Sequence, residues 1–423
     1  MKVLFKDASI VQQNGTTGPL HVLVENGVIT YIGSEEVPAD RLVASPHLHL
    51  SPGWLDARCY TNDPGFDAKD DLKHIKLAGL AGGFTDVVCL PNTRPAIQSK
   101  DVCSYFVQHS NISGFKFHPL GAATVDLKGD YLTEYIDLHF HGAVGFTDGD
   151  APITQPDVVI RALEYLLPIN GLLIQHATDP RLARNGQIHE GQTSILTGLR
   201  GIPSIAETTF IQQQIALTAY TGGKMHISGI STAEGCEHIR VAKSKGIRIT
   251  CDMPAYQLFF TEEDLLHFDT LRKVWPPFRA KSDRLALLEA LQDGTIDCVV
   301  SNHHSHDDES KYLEFDLAEF GFGGLQTAFS SLITASNSYL DVVRLVQLFC
   351  FQPRILFGLP IPALEVGKQA CITAFDPIES WTLTEHTSMS KNLNSPFRHK
   401  QLKGKIVATM AGSDVFFGTE VLE

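Results

Sequence analysis

No Cys-x-x-Cys pair occurs among the eight cysteines of this 423-residue chain. That argues against a zinc knuckle and against a secreted disulfide framework. Cys59, Cys89, Cys251 and Cys298 lie in apolar, strand-like runs and read as buried free thiols of a reducing compartment. No apolar run approaches the roughly 20 residues that span a bilayer, and mean hydropathy is −0.01. The first residues, MKVLFKDASIVQQNG, lack a small-residue cleavage site and read as a strand, not a signal peptide. The chain is read as cytoplasmic. Positive charge is short: 34 Lys and Arg against 48 Asp and Glu, for a net charge of −14. This disfavours nucleic acid or anionic membrane as a main ligand. There is no glycine-rich phosphate loop after the first strand, no Gly-x-Ser-x-Gly elbow and no internal repeat.

What is present has two rhythms. Both ends read as β. HVLVENGVITYIG places Asn26-Gly27 between two alternating runs, and near the C-terminus ACITAFDP and KGKIVATMAGSDVFF are strand candidates with Ala411-Gly412 as a turn. The middle alternates apolar strands with helices. Eight strand candidates occur at GWLDARCY, FTDVVCLP, GFKFHPLG, GAVGFTDG, GLLIQHAT, KMHISGIS, RITCDMPA and IDCVVSNHH. Two clear helices separate them. One has Ser204 and Glu207 as a capping box with Gly222-Gly223 as its stop. The other carries Leu287, Leu288 and Leu291 on one face and ends at Gly294. The pattern predicts an α/β fold, a (β/α)8 TIM barrel, whose chemistry sits at the C-terminal strand ends. The barrel is placed at residues 50–364. Residues 1–49 and 365–423 are expected to form one small composite β-sandwich.

Several stretches carry a family resemblance. They are Pro52-Gly53-Trp54-Leu55-Asp56, Asp63-Pro64-Gly65, Gly82-Gly83-Phe84-Thr85, Pro91-Asn92-Thr93, Phe146-Thr147-Asp148, Pro203 with Ala206-Glu207, and Gly324-Leu325-Gln326-Thr327. In order, over about residues 1–420, they resemble dihydroorotases of the amidohydrolase superfamily. The resemblance implies a metal-dependent barrel and the reversible cyclisation of carbamoyl-aspartate to dihydroorotate in pyrimidine synthesis. Opening a cyclic amide at neutral pH needs a hydroxide, which metal ions supply by lowering the pKa of bound water to roughly 7. In the family a His-x-His pair ends strand 1, further zinc ligands close strands 4, 5, 6 and 8, and the strand-8 aspartate doubles as general base.

Here the frame is kept and the ligands are not. The His-x-His positions hold Arg58 and Tyr60, and the substrate-arginine position holds Asn62. The strand-4 carboxylate aligns with Gly149, beside Asp148 and Asp150, and the strand-6 histidine with Gly229. Asn302 stands at the general-base position, in Asn302-His303-His304-Ser305-His306. Only the strand-5 histidine survives, as His176, a vestigial ligand without a full site. Asp56 and Pro64-Gly65 bracket the first motif without a gap, so the register is not in question. An always-charged guanidinium at Arg58 repels a cation and can take its place, bonding to Asp148, Asp150 or Asn302. Asn62 cannot reproduce an arginine fork on a carboxylate. Further pocket positions hold Gln257 and a bulky Trp275, while Asn92 and His306 match family substrate contacts.

A relocated metal site built from the 302–308 cluster and His176 is the weaker reading, because one contiguous loop rarely presents four ligands tetrahedrally. His226 reads as a satisfied core histidine. Cys59 alternates to the opposite side of its strand from Arg58 and Tyr60. The leading expectation is a catalytically inactive homologue, with no cofactor, retained as a structural or regulatory partner of aspartate transcarbamoylase or as a homo-oligomer. The alternatives are an active dihydroorotase or other cyclic-amide hydrolase with an altered metal site, and a module that binds a pyrimidine intermediate.

Overall fold

The computed structural model describes residues 1–418 and, as backbone, 420–422. Eight parallel strands, Trp54–Cys59, Phe84–Cys89, Lys116–Pro119, Phe146–Thr147, Leu172–His176, Lys224–Ser228, Ile249–Pro254 and Cys298–Val300, follow the eight apolar segments of the sequence. Neighbours pair in parallel along the series. Between the third and fourth strands the short Gly121–Ala122 segment mediates the pairing. The barrel closes where the Tyr60 N–H donates to the His303 carbonyl at 2.9 Å. Every residue of Trp54–Cys59 and Phe84–Cys89 is buried, as parallel strands covered on both faces require.

Helices cover the barrel, among them Leu72–Ala81, Pro156–Leu166, Ile205–Thr221, Ala233–Ser244 and Lys281–Asp293. Gly222 and Gly294 end two of them in the left-handed conformation, at φ 68° and 84°, which a side chain would strain. The capping box expected at Ser204 does not form. Ser204 makes no side-chain cap bond, and Glu207 turns inward to accept from the N–H groups of Ser231 and Thr232 at 3.0 and 2.9 Å. A buried carboxylate is better satisfied by that set of donors than by one helix terminus.

The two ends of the chain meet in one nine-stranded sheet. Its path runs from Val28–Gly33 through Gly15–Glu25, Lys2–Gln12 and His49–Pro52 to Cys371–Thr382, Gln401–Ala411, Asp414–Phe417 and Glu420–Leu422, with Arg41–Val43 beside Lys2–Gln12. Asn26 and Gly27 sit at φ 51° and 79°, the conformation a two-residue hairpin needs. The C-terminal turn falls one residue later than its sequence signal, at Gly412-Ser413. Val3, Phe5, Val22, Leu50, Ile372 and Met410 share one core inside this sheet. Trp54 joins it to the barrel: its ring is fully buried, stacks on Phe349 at 5.6 Å and tilts against Phe375 at 5.3 Å. No helix among the described residues is long and apolar enough to cross a membrane.

Candidate active site

Residues two apart on a strand face the same side, so Asp56, Arg58 and Tyr60 follow one another along one face of the first barrel strand. Arg58 is 3% exposed. Its Nε–H donates to Asn302 Oδ1 at 2.9 Å and Nη1 to Ser228 Oγ at 3.3 Å, while Nη2 donates to the Asp150 carboxylate. Burial is the largest single influence and works against the charge, but the surrounding acidic groups, Asp150 foremost, together hold the guanidinium above its ordinary range. Burial would raise Asp150, and its surroundings together, the field of Arg58 foremost and then hydrogen bonds from Tyr60 and Arg58, bring it below the usual carboxylate range instead.

Of the three partners named for Arg58 from the sequence, Asp148 is not one. Its carboxylate accepts from the N–H of Thr124 at 2.8 Å and from the Thr124 hydroxyl, and burial pushes it up to about 6. Asp148 lies next to the Phe146–Thr147 strand, and its two oxygens are spent on the neighbouring turn. Asp150, two residues on, is the residue that reaches the mouth.

Tyr60 stacks on His304 with ring centroids 3.8 Å apart and planes 12° from parallel. Burial and the Asp150 charge keep its phenol protonated. Asn302 sits at φ 46° and uses its amide N–H to donate to the Tyr256 hydroxyl at 2.7 Å and the Trp275 carbonyl at 2.9 Å. Every polar atom of Asn302's side chain is thus spent on protein. Asn62, also left-handed at φ 59°, turns away and donates to the Ser305 carbonyl at 3.2 Å. Gln257 holds the backbone after Trp275 by donating to the Pro276 carbonyl at 2.9 Å.

His176 is 1% exposed and neither ring nitrogen has a partner. Burial pushes it down to about 4, so it is neutral at physiological pH. Gly229 and Gly149 stand close by with φ of 79° and 72°. A Cβ on Gly229 would lie 2.8 Å from His176 Cε1, and one on Gly149 would lie 2.0 Å from Asn92 Oδ1. Asn92 donates to the Asp148 carbonyl at 3.3 Å. His306 is engaged at both nitrogens, with the Phe320 carbonyl at 2.8 Å and Lys69 Nζ at 3.3 Å.

Two groups that sequence reasoning passed over complete the mouth. Asp252, at the end of the seventh strand, accepts from Ser228 Oγ at 2.8 Å and the Gly229 N–H at 2.7 Å, and lies 2.9 Å from His226 Nε2. His226 meets Thr250 Oγ1 on its other side at 2.8 Å, so it is a satisfied core histidine. Burial opposes ionisation of Asp252, yet His226 and then Arg58 hold it low. Its place at a strand end inside TCDMP was the available signal; Ser228, in KMHIS, offered none. His303 points the other way and pairs with the buried Asp70 at 2.9 Å.

A cavity of about 310 Å³ remains above these residues, lined by Asp150, Trp275, Asn302, His304, Glu319 and Phe320. Glu319, Phe320 and Gly321 in its wall end a segment held by two buried lysines that donate to carbonyls. Lys273 binds those of Phe315 and Asp316, and Lys311 those of Glu319 and Gly321. Among the described residues, three potential metal-donor side chains converge at Asp70, Asp71 and His74. Those atoms are already used: Asp70 pairs with His303, and Asp71 caps the helix Leu72–Ala81.

A parallel barrel with polar side chains gathered at its C-terminal strand ends, joined to a sheet built from both termini, defines an amidohydrolase-type scaffold. Residues 48–235 match the Dihydro-orotase-like family model. The chain is 35% identical over 425 residues to a dihydroorotase of Acetivibrio thermocellus, covering 99% of this chain and 100% of that one. It is 35% identical over 417 residues to a dihydroorotase of Aquifex aeolicus, covering 97% and 98%. The chain belongs to the dihydroorotase-like family of the amidohydrolase superfamily. The same fold is found in the L-hydantoinase (dihydropyrimidinase) of Arthrobacter aurescens, with a TM-score of 0.85 at 23% identity over 100% of this chain and 97% of that one. A D-hydantoinase structure gives 0.83 at 20% identity over the same shares.

Proposed function

We propose that this chain is a cytoplasmic dihydroorotase homologue that has given up catalysis and serves pyrimidine biosynthesis as a structural or regulatory partner of aspartate transcarbamoylase. The observation that carries the reading is the Arg58 guanidinium, buried at the barrel mouth and bonded to Asp150, Asn302 and Ser228. A divalent zinc ion needs converging neutral imidazoles and carboxylates. The residues present do not fit one: a fixed positive charge engages Asp150, Asn302 offers no free oxygen, and a side chain at Gly149 or Gly229 meets Asn92 or His176. Without activated water the family reaction lacks its nucleophile. Asn62, bound to the Ser305 carbonyl, offers no fork for a substrate carboxylate.

The test has two arms. The purified chain is expected to hold well under one equivalent of zinc and to turn over neither dihydroorotate nor carbamoyl-aspartate. Chelator-sensitive turnover would restore the reading as an active cyclic-amide hydrolase. The transcarbamoylase of the same organism, expressed with and without this chain, is expected to differ in assembly size or activity. Equal assembly and activity in both cases would remove the partnership.

A second reading, a module that binds a pyrimidine intermediate, is favoured by the two unpartnered nitrogens of His176, whose ring centroid lies 6.3 Å from that of Trp275 in the wall of the 310 Å³ cavity. Thermal stabilisation by dihydroorotate or carbamoyl-aspartate, absent in His176→Phe, would support it. No stabilisation at millimolar ligand would exclude it.

A further inference from the structure

The polar groups left unspent at the barrel mouth are of one kind. Arg58, the Asn302 amide and the buried ammonium groups of Lys273 and Lys311 are each engaged with protein acceptors. Glu319, exposed in the wall of the 310 Å³ cavity, makes no side-chain hydrogen bond or close ion pair among the described residues. The His304 ring makes no hydrogen bond either, and burial together with the cations around it keeps it neutral. A cavity lined by carboxylates and a neutral imidazole, with its cationic donors already used, is rich in acceptors. Trp275 and Phe320 add aromatic walls, with ring centroids 5.3 Å apart and planes at 81°. Both are half-buried and line the cavity, so ring surface stays open to it. Phe320 already carries the Lys273 ammonium 4.6 Å from its centroid, an attraction between a cation and a ring quadrupole. Beside Trp275, the buried His176 leaves both ring nitrogens without a partner, which marks a polar space that the protein alone does not fill.

Charge decides what fits. At the floor Arg58 stands among two carboxylates, Asp150 and Asp252, and Glu319 adds a third in the wall. Lys273 and Lys311 lie buried with Asp316, Asp269 and Glu319 in their field, and Lys69 is engaged with His306. A concave site with carboxylates and low-dielectric aromatic walls concentrates cations and turns anions away. An anion would face Glu319 and Asp150 and find no free cation to pair with. We propose that this cavity binds a small organic cation, an ammonium or amidinium group on an aromatic or apolar body. The charged head lies between Glu319 and Asp150, and the body packs on Trp275 and Phe320. A volume of about 310 Å³ suits a small molecule and not a folded partner. The proposal rests on the reading that no metal is held at this mouth, and it parts from the pyrimidine-intermediate reading, whose ligands are carboxylates.

The test titrates the full chain with three probes of matched shape: benzylamine, a cation at neutral pH; benzyl alcohol, neutral; and benzoate, an anion. Tryptophan fluorescence and the melting temperature are the two readouts. Benzylamine is expected to bind and to stabilise at millimolar concentration, benzyl alcohol more weakly, and benzoate not at all. Added salt is expected to weaken benzylamine and leave benzyl alcohol unchanged. Glu319→Gln removes one carboxylate at an exposed position, so the fold is kept, and the benzylamine dissociation constant is expected to rise at least about threefold. Glu319→Lys is expected to lose benzylamine and admit benzoate. Trp275→Phe is expected to lose the fluorescence change while the thermal shift remains, which locates the probe in this cavity. Equal binding of all three probes, no benzylamine binding, or a response unmoved by the Glu319 variants overturns the proposal. Stabilisation by dihydroorotate in place of benzylamine also overturns it and assigns the cavity to a pyrimidine intermediate. Zinc content and turnover are read on the same preparation. A chain that is active and metal-loaded is thereby told apart from an inactive one that binds no cation.

Discussion

Arg58 Nε–H and Asn302 Oδ1 meet at 2.9 Å, joining the first barrel strand to the end of the eighth. Asn302 accepts with its oxygen and donates with its nitrogen to Tyr256 and Trp275. One amide thus ties a cation to two elements of the mouth. An aspartate there would accept from Arg58 but would leave the Trp275 carbonyl facing a like charge. The pair is therefore a matched substitution: Arg58 brings the charge, and Asn302 supplies one acceptor and two donors around it.

Removing the cation is expected to destabilise the fold. In Arg58→Met, Asp150 and Asp252 lose their shared positive neighbour. Breaking a buried ion pair costs about 3–5 kcal/mol, and the partial exposure of Asp150 reduces this to about 2–3 kcal/mol. Urea denaturation with a fixed m-value measures it. A change below about 0.5 kcal/mol would show that the guanidinium is not what neutralises the mouth.

Restoring the family's ligand types is not expected to restore turnover. Gly229→His pushes a side chain onto His176, and Gly149→Asp pushes one into Asn92, each at a positive φ that L residues resist. The combined variant Arg58→His, Tyr60→His, Gly149→Asp, Gly229→His and Asn302→Asp is expected to melt below wild type and to stay inactive while Asn62 and Trp275 remain. Activity in that variant would show that the loop carrying Asn92 and the ring of His176 yield easily.

Acid is expected to weaken the fold through His189. Burial, then the charge of Arg279 whose Nη1 lies 3.1 Å from His189 Nδ1, pushes this imidazole down to about 4. A base with a depressed folded-state pKa is most stabilising above its unfolded value near 6.5, and that stability is lost as pH falls towards 4. The contribution is about 2–3 kcal/mol. His189→Gln keeps an acceptor for Arg279 and removes the titration, so stability measured between pH 7 and pH 4 is expected to fall less steeply in the variant. Equal slopes would place the acid sensitivity elsewhere.

Glu207 is expected to be the costliest single carboxylate to lose. It is 1% exposed and accepts from the backbone or hydroxyls of Ser231 and Thr232, with Arg279 beside it. Glu207→Ala leaves Arg279 buried without its anion and several donors unpaired, a loss of about 3–5 kcal/mol by chemical denaturation. Glu207→Gln is expected to retain part of it.

The barrel was legible because strands buried on both faces leave uninterrupted apolar runs, and each of the eight appeared where the structure has a strand. Gly222, Gly294 and Asn26-Gly27 were legible because their backbone conformations demand those residue types. The positions of Arg58, Tyr60 and Asn302 at the mouth followed from strand periodicity and a family frame. What could not be read was pairing across the fold. Glu207 looked like a cap because Ser204 stands three residues before it, while its donors lie over twenty residues later. Asp148 and Asp150 differ by two positions, and only the turn at Thr124 decides which of them faces Arg58. Ser228 and Asp252 are common residues at strand ends, and nothing local marks them as a pair.

The seam between His49–Pro52 and Cys371–Thr382 has a consequence for how the chain is made. Ile372 pairs with Pro52, about 320 residues earlier in the chain. During synthesis the first fifty residues must wait, with the open edge of His49–Pro52 unpaired, until the whole barrel has been translated. Closing so large a loop is slow, and an exposed strand edge invites pairing between nascent chains. Pulse-labelled hydrogen exchange is expected to protect the amides of Trp54–Cys59 before those of His49–Pro52. A chain ending before residue 365 is expected to aggregate through that edge even if its barrel forms.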